Sequence, residues 1–176
     1  MRWIWIDRFV EFKSGQFARA VKNLSLAEDY FADHFPGYPI MPAALLLEGL
    51  AQTGGILVGE ANDYREKVIL AKILQARFHR EVLAGRQLIY ETDLVFLRPE
   101  GASIQGRIFA APPPGSPPFG AETDEMERVA DAEIFFAHLD QARSQQIFGD
   151  HNFVFTGELK HLLGLVKATT DRTDGP

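Results

Sequence analysis

The chain has 176 residues, 46% hydrophobic and 24% charged, which suits one globular domain with a real core. It has no cysteine, and this excludes disulfides, thiolate nucleophiles and Cys-ligated zinc. A formal net charge of −6 argues against a nucleic-acid partner, and no apolar run approaches the ~18 residues of a membrane span.

The apolar start, Met1 to Ile6, runs into Asp7 and Arg8 and is too short for a signal-peptide core. A soluble cytoplasmic protein is expected. Residues 3–12 (WIWIDRFVEF) are rich in β-branched and aromatic types and predict a strand. Ser14-Gly15 predicts a turn, and residues 16–24 its hairpin partner. Ser25-Leu26-Ala27-Glu28 has the capping-box pattern and predicts a short helix over 26–32. Residues 34–42 (HFPGYPIMP) hold three prolines and a glycine, so they predict a stiff loop. Pro42 suits the first position of a helix, where its missing N–H costs nothing. That helix, about 42–60, carries leucines, isoleucine and valine all round its cylinder, and burial on every side is expected.

The remainder predicts antiparallel sheet, with strands near 67–80, 87–98, 102–111 and 129–137, and Gly85 and Gly101 in or near turns. The central helix is the natural cover for its apolar face. Residues 112–128 contain five of the ten prolines and then an acidic run, which predicts a long mobile loop. The expected domain is 1–137. Residues 138–176 are a C-terminal extension in which 147–166 can pack and 167–176 should fray.

The chemistry concentrates in residues 28–55. His34 precedes the Pro/Gly loop, and fourteen residues later Glu48 stands in a helix otherwise almost wholly apolar. A carboxylate there is costly to bury unless paired or neutral. Its face, Ala44, Ala51, Gln52 and Gly55, is small and leaves room for a substrate or another backbone. The plain alternative is a structural acid hydrogen-bonded in the core.

Taken together, His34-Phe35-Pro36-Gly37, Pro39-Ile40-Met41-Pro42, Glu48 and Gln52 resemble the FabZ family of 3-hydroxyacyl-acyl-carrier-protein dehydratases. Ile6-Asp7-Arg8 and Ala76-Arg77-Phe78-His79-Arg80 resemble outer elements of the same family, over roughly residues 3–137. The resemblance implies an α+β hot-dog fold, an antiparallel sheet wrapped around a long central helix. It implies a homodimer, or a trimer of such dimers, with His34 of one subunit facing Glu48 of the other. His34 and Glu48 would be catalytic. Phe35, Gly37, Ala43, Ala44 and Gln52 would hold the substrate or its oxyanion. No metal or cofactor is expected. The partner would be acyl carrier protein with its phosphopantetheine-linked acyl chain. Lys72, Arg77 and Arg80, with His79 and Arg86 nearby, form a basic region that suits such an acidic carrier, or simply a solvated strand face. Glutamate rather than aspartate at position 48 favours FabZ-type over FabA-type chemistry.

The chain also departs from the FabZ pattern. Ala43 stands where glycine is usual, and Glu81-Val82-Leu83-Ala84-Gly85-Arg86 replaces a segment with two prolines and an aspartate. These changes imply a divergent member. Three other readings stay open. A MaoC-like hydratase finds an echo in Asp29, five positions before His34. A hot-dog thioesterase leaves the His34–Glu48 spacing unexplained. A non-catalytic hot-dog subunit would bind an acyl chain or partner a true dehydratase.

Overall fold

The computed structural model describes residues 3–112, 126–140, 145–146 and 161–164. The expectations for the Pro-rich loop and most of the C-terminal extension lie outside these residues. Six strands form one antiparallel sheet: β1 (Arg8–Lys13), β2 (Phe17–Asn23), β3 (Lys67–Phe78), β4 (Gln87–Arg98), β5 (Gly101–Ala111) and β6 (Glu127–Leu139). Their spatial order is β1-β2-β4-β5-β6-β3, so β1 and β3 are the edges. The long helix α2 (Ala43–Ala61) packs on one face, and a single turn, α1 (Tyr30–Asp33), precedes the His34 loop. No helix of the described residues is long and apolar enough to cross a membrane.

Register is set by charge as well as by turns. One row crosses all six strands as Glu11, Arg19, Glu91, Arg107, Asp131 and Arg77, alternating in sign. Arg19 bonds Glu11 at 2.9 Å and Glu91 at 2.6 Å, and Arg107 bonds Glu91 at 3.2 Å. Opposite charges directly across a strand pair favour that pairing, and a one-residue slip turns every side chain to the other face.

Four local expectations are corrected. The first strand begins at Arg8 rather than residue 3, because the Trp5 N–H is taken by the Gln52 side chain at 2.8 Å instead of a neighbouring strand. The capping box does not form. Ser25 Oγ accepts from Ala27 N at 3.2 Å, while the Glu28 carboxylate pairs with the Lys22 ammonium at 3.0 Å. Lys22 is buried, and a buried charge needs its counter-ion more than a helix end needs a cap. The helix accordingly starts later, at Tyr30. Pro42 is the N-cap of α2, with ψ 132°, and not its first helical residue. The last strand begins at Glu127, inside the segment expected to be loop.

The burial of α2 is also uneven. Leu46, Gly49, Leu50, Thr53, Ile56 and Leu57 are buried, but Ala43 and Ala44 are exposed and Leu47, Glu48 and Gly55 are only half-buried. Among the described residues, the sheet covers part of the helix circumference and leaves the rest open. Where helix and sheet do meet, the approach is close. A Cβ on Gly49 would lie 2.4 Å from Tyr90 Cζ, and Tyr90 is fully buried. Gly49→Val should therefore overpack the core and lower stability by about 3 kcal/mol, a fall in Tm of roughly 6–12 °C readable by calorimetry. An unchanged Tm would mean that Tyr90 moves aside freely.

The edge strand β3 is exposed along most of its length. Every residue from Leu70 to Phe78 is exposed, including Leu70, Ile73, Leu74 and Phe78. Ile73 and Phe78 stand opposite Ile134 and Ala130, whose side chains are buried on the helix side of the sheet. Further along the chain, Leu163 is buried and Leu162 half-buried against the same core.

Candidate active site

The loop after α1 is built to hold an imidazole. Phe35 N donates to Tyr38 O at 3.1 Å and Tyr38 N to Phe35 O at 2.9 Å, closing a tight turn around Pro36-Gly37. Gly37 has φ +80°, the left-handed value that a type II turn demands after its proline. Ile40 N then donates back to His34 O at 3.0 Å. The His34–Phe35 peptide is cis, and the Phe35 ring stacks on the imidazole at 4.3 Å. The divergent segment after β3 braces this loop. Met41 N donates to Val82 O at 2.8 Å, Ile40 bridges Leu83, and Tyr38 Oη donates to Glu81 Oε2 at 3.0 Å. The hydrogen bond to Glu81 pushes the Tyr38 phenol above its ordinary pKa.

One contact decides the chemistry of His34. Its Nδ1 lies 3.2 Å from the Ile40 carbonyl oxygen. A carbonyl only accepts, so Nδ1 must carry the hydrogen. In the neutral ring the lone pair then sits on Nε2, which has no partner among the described residues. His34 is half-buried, so this nitrogen belongs to a group partly shielded from water.

Glu48 lies in the second turn of α2. Its Oε1 accepts from Gln52 Nε2 at 2.9 Å and from the Trp3 indole Nε1 at 3.2 Å. Gln52 is buried and also donates to Trp3 O at 3.1 Å. The carboxyl is therefore tied to the N-terminal segment, and Oε2 has no partner among the described residues. At the start of α2, Leu45 N and Leu46 N both donate to Pro42 O. Among the described residues this leaves the Ala43 and Ala44 N–H groups unclaimed, at the positive end of the helix dipole.

The predicted residues fall into three places. His34, Phe35 and Gly37 share the turn. Ala43, Ala44, Glu48 and Gln52 share the open side of α2. Within one chain no contact among the described residues joins the imidazole to the carboxyl. Among the described residues no hydrogen bond or ion pair joins Lys72, Arg77 or Arg80 to either group. Lys72 stands opposite Phe135 and Arg77 opposite Asp131, on the sheet face turned away from the helix. Arg80 pairs with Glu127 at 2.8 Å. Asp131 is already held by His79 at 2.6 Å and by Arg128. Partial burial works against its ionisation, yet the hydrogen bonds from His79 and Arg128 prevail and keep its carboxyl below the usual range.

Sequence reasoning missed three residues. Trp3 reads as strand filler, and nothing in its spacing points to Glu48. Tyr38 and Glu81 meet across 43 positions, beyond the reach of any local pattern.

Comparison with known proteins agrees with this architecture. Residues 3–106 match the FabA-like domain family. The 3-hydroxyacyl-[acyl-carrier-protein] dehydratase FabZ of Koribacter versatilis (strain Ellin345) is 41% identical over 106 residues, 59% of this chain and 68% of that protein. The protein of the same name from Listeria welshimeri is 35% identical over 136 residues, 77% of this chain and 85% of that one. Among solved structures, a thioesterase family protein from Silicibacter pomeroyi superposes with a TM-score of 0.59 at 11% identity, covering 76% of this chain and 84% of that one. That likeness is one of fold alone, and the fold is the hot-dog. Sheet, helix, loop and sequence agree: the chain belongs to the FabA-like domain family, on its FabZ side.

Proposed function

We propose that the chain removes water from (3R)-3-hydroxyacyl thioesters on acyl carrier protein, giving trans-2-enoyl thioesters in fatty acid or related lipid or polyketide biosynthesis. The observation that carries this reading is the His34 tautomer. A fixed Nδ1–H leaves a base at Nε2, in the turn that the FabZ resemblance assigns to catalysis. Nε2 takes the C2 proton, and the C2–H electrons become the C2=C3 bond. The C3–O bond breaks, and the departing hydroxyl takes a proton from Glu48 in its acid form and leaves as water. The Ala43 and Ala44 N–H groups would receive the negative charge that builds on the thioester oxygen. Hydration of an enoyl thioester runs the same steps backwards.

Two copies would complete the site. Among the described residues, a stripe of α2 and the apolar side of β3 stay open, and an uncovered apolar edge strand invites pairing. A second copy offers the same surfaces, and a two-fold interface is self-complementary. It would also bring the partner's imidazole to this chain's carboxyl. The carrier would dock on the basic region. Glu127 is shared by Arg80 and Arg86, and Asp131 by His79 and Arg128. Lys72 and Arg77 make no ion pair among the described residues, so positive charge is in excess there.

Purified protein should convert carrier-bound 3-hydroxyacyl chains to enoyl thioesters, followed by their ultraviolet absorbance, and should hydrate crotonyl thioester in reverse. Inactivity across all chain lengths would leave the non-catalytic acyl-binding subunit as the better reading.

A further inference from the structure

The carboxyl of Glu48 is held asymmetrically, and a residue outside the expected constellation does part of the holding. Gln52 Oε1 must face the Trp5 N–H, because only an oxygen accepts there. This fixes the amide orientation and turns Nε2 toward two acceptors, Trp3 O at 3.1 Å and Glu48 Oε1 at 2.9 Å. The Trp3 indole N–H reaches the same Oε1 at 3.2 Å. The Trp3 ring is itself seated edge-on against Trp5, with centroids 5.5 Å apart and planes at 88°, and Trp5 is buried. Trp3, Glu48 and Gln52 thus form a closed ring of contacts resting on a fixed indole.

We propose that Trp3 is a positioning residue whose indole N–H, together with Gln52, reserves Oε1 of Glu48 as an acceptor and so assigns the transferable proton to Oε2. This deepens the dehydratase reading and rests on it. Two N–H groups converge on Oε1, and a hydrogen on that oxygen would point at one of them. The acid form therefore carries its hydrogen on Oε2, the atom with no partner among the described residues. Without the indole, one donor remains and the carboxyl gains freedom to rotate. Substrate binding does not need that restraint, whereas proton delivery to the leaving oxygen does.

The test has two arms. Trp3→Phe keeps the ring and its contact with Trp5 but removes the N–H. Its kcat should fall about tenfold, the size of one hydrogen bond to a carboxyl, while KM changes less than twofold and Tm holds. A kcat equal to wild type, or a parallel loss of kcat and stability, would overturn the proposal. In the second arm, the two indole N–H signals are followed by nitrogen–proton correlation NMR across pH. The signal missing from Trp3→Phe should move with the ionisation of a neighbouring carboxyl in wild type and stay still in Glu48→Ala. A Trp3 signal unmoved by the loss of Glu48 overturns the contact itself. This arm needs no activity, so an inactive wild type with a responsive Trp3 signal would count against the dehydratase reading and not against the contact.

Discussion

Replacing His34 with alanine is expected to lower the dehydration kcat by about 10²–10⁴ while the fold stands, as measured by the enoyl absorbance assay beside a thermal melt. The size of the loss follows from the tautomer. With Nδ1–H committed to the Ile40 carbonyl, Nε2 is the one ring atom free to take a proton from C2, and alanine supplies nothing in its place. The fold should hold because the loop is secured by its backbone. Phe35 and Tyr38 keep their two mutual bonds, Ile40 N keeps the His34 carbonyl, and Met41 N keeps Val82. The variant loses one part-buried side-chain hydrogen bond and one ring stack, together worth about 1–2 kcal/mol. A Tm within a few degrees of wild type, joined to a rate loss of that size, separates chemistry from folding. Equal rates in wild type and His34→Ala would remove the imidazole from the mechanism.

The parts of the fold legible in the sequence are those decided by short-range chemistry. Proline and glycine between 34 and 42 forbid helix and interior strand, and the structure uses them in a type II turn and at the N-cap of α2. The run from Ala43 to Ala61 is helical and packs on a sheet whose strands lie near their expected positions. The misreadings come from competition across distance. Ser25 and Glu28 satisfy the local capping pattern, but Lys22, on the neighbouring strand, claims the carboxylate. Trp3 to Ile6 have strand composition, but Gln52 claims the backbone donor that would have extended the ladder. The composition of α2 predicts burial on all sides, and the described residues leave a stripe of it open. Composition reports that a surface must be covered and not whether the same chain covers it.

If imidazole and carboxyl come from different subunits, two inactive variants should rescue each other. His34→Ala and Glu48→Gln proteins, each reduced at least about a hundredfold, are mixed, unfolded together and refolded, or are co-expressed. Random pairing makes half of the dimers mixed. In a mixed dimer one site receives both substitutions and the other neither. One intact site in half of the dimers restores about a quarter of wild-type activity, a gain of more than tenfold over either parent. Within one chain the two groups keep separate contacts among the described residues. His34 contacts Ile40 and Phe35, and Glu48 contacts Trp3 and Gln52. Among the described residues, one side of α2 stays open and the apolar residues of β3 have no cover, surfaces that a second copy would fill. If instead each site were completed within one chain, every chain in the mixture would still lack one group, and activity would stay at the level of the parents whatever the pairing. Recovery in the refolded mixture, with none when the folded proteins are combined without exchange, would tie the gain to shared subunits rather than to a contaminating enzyme.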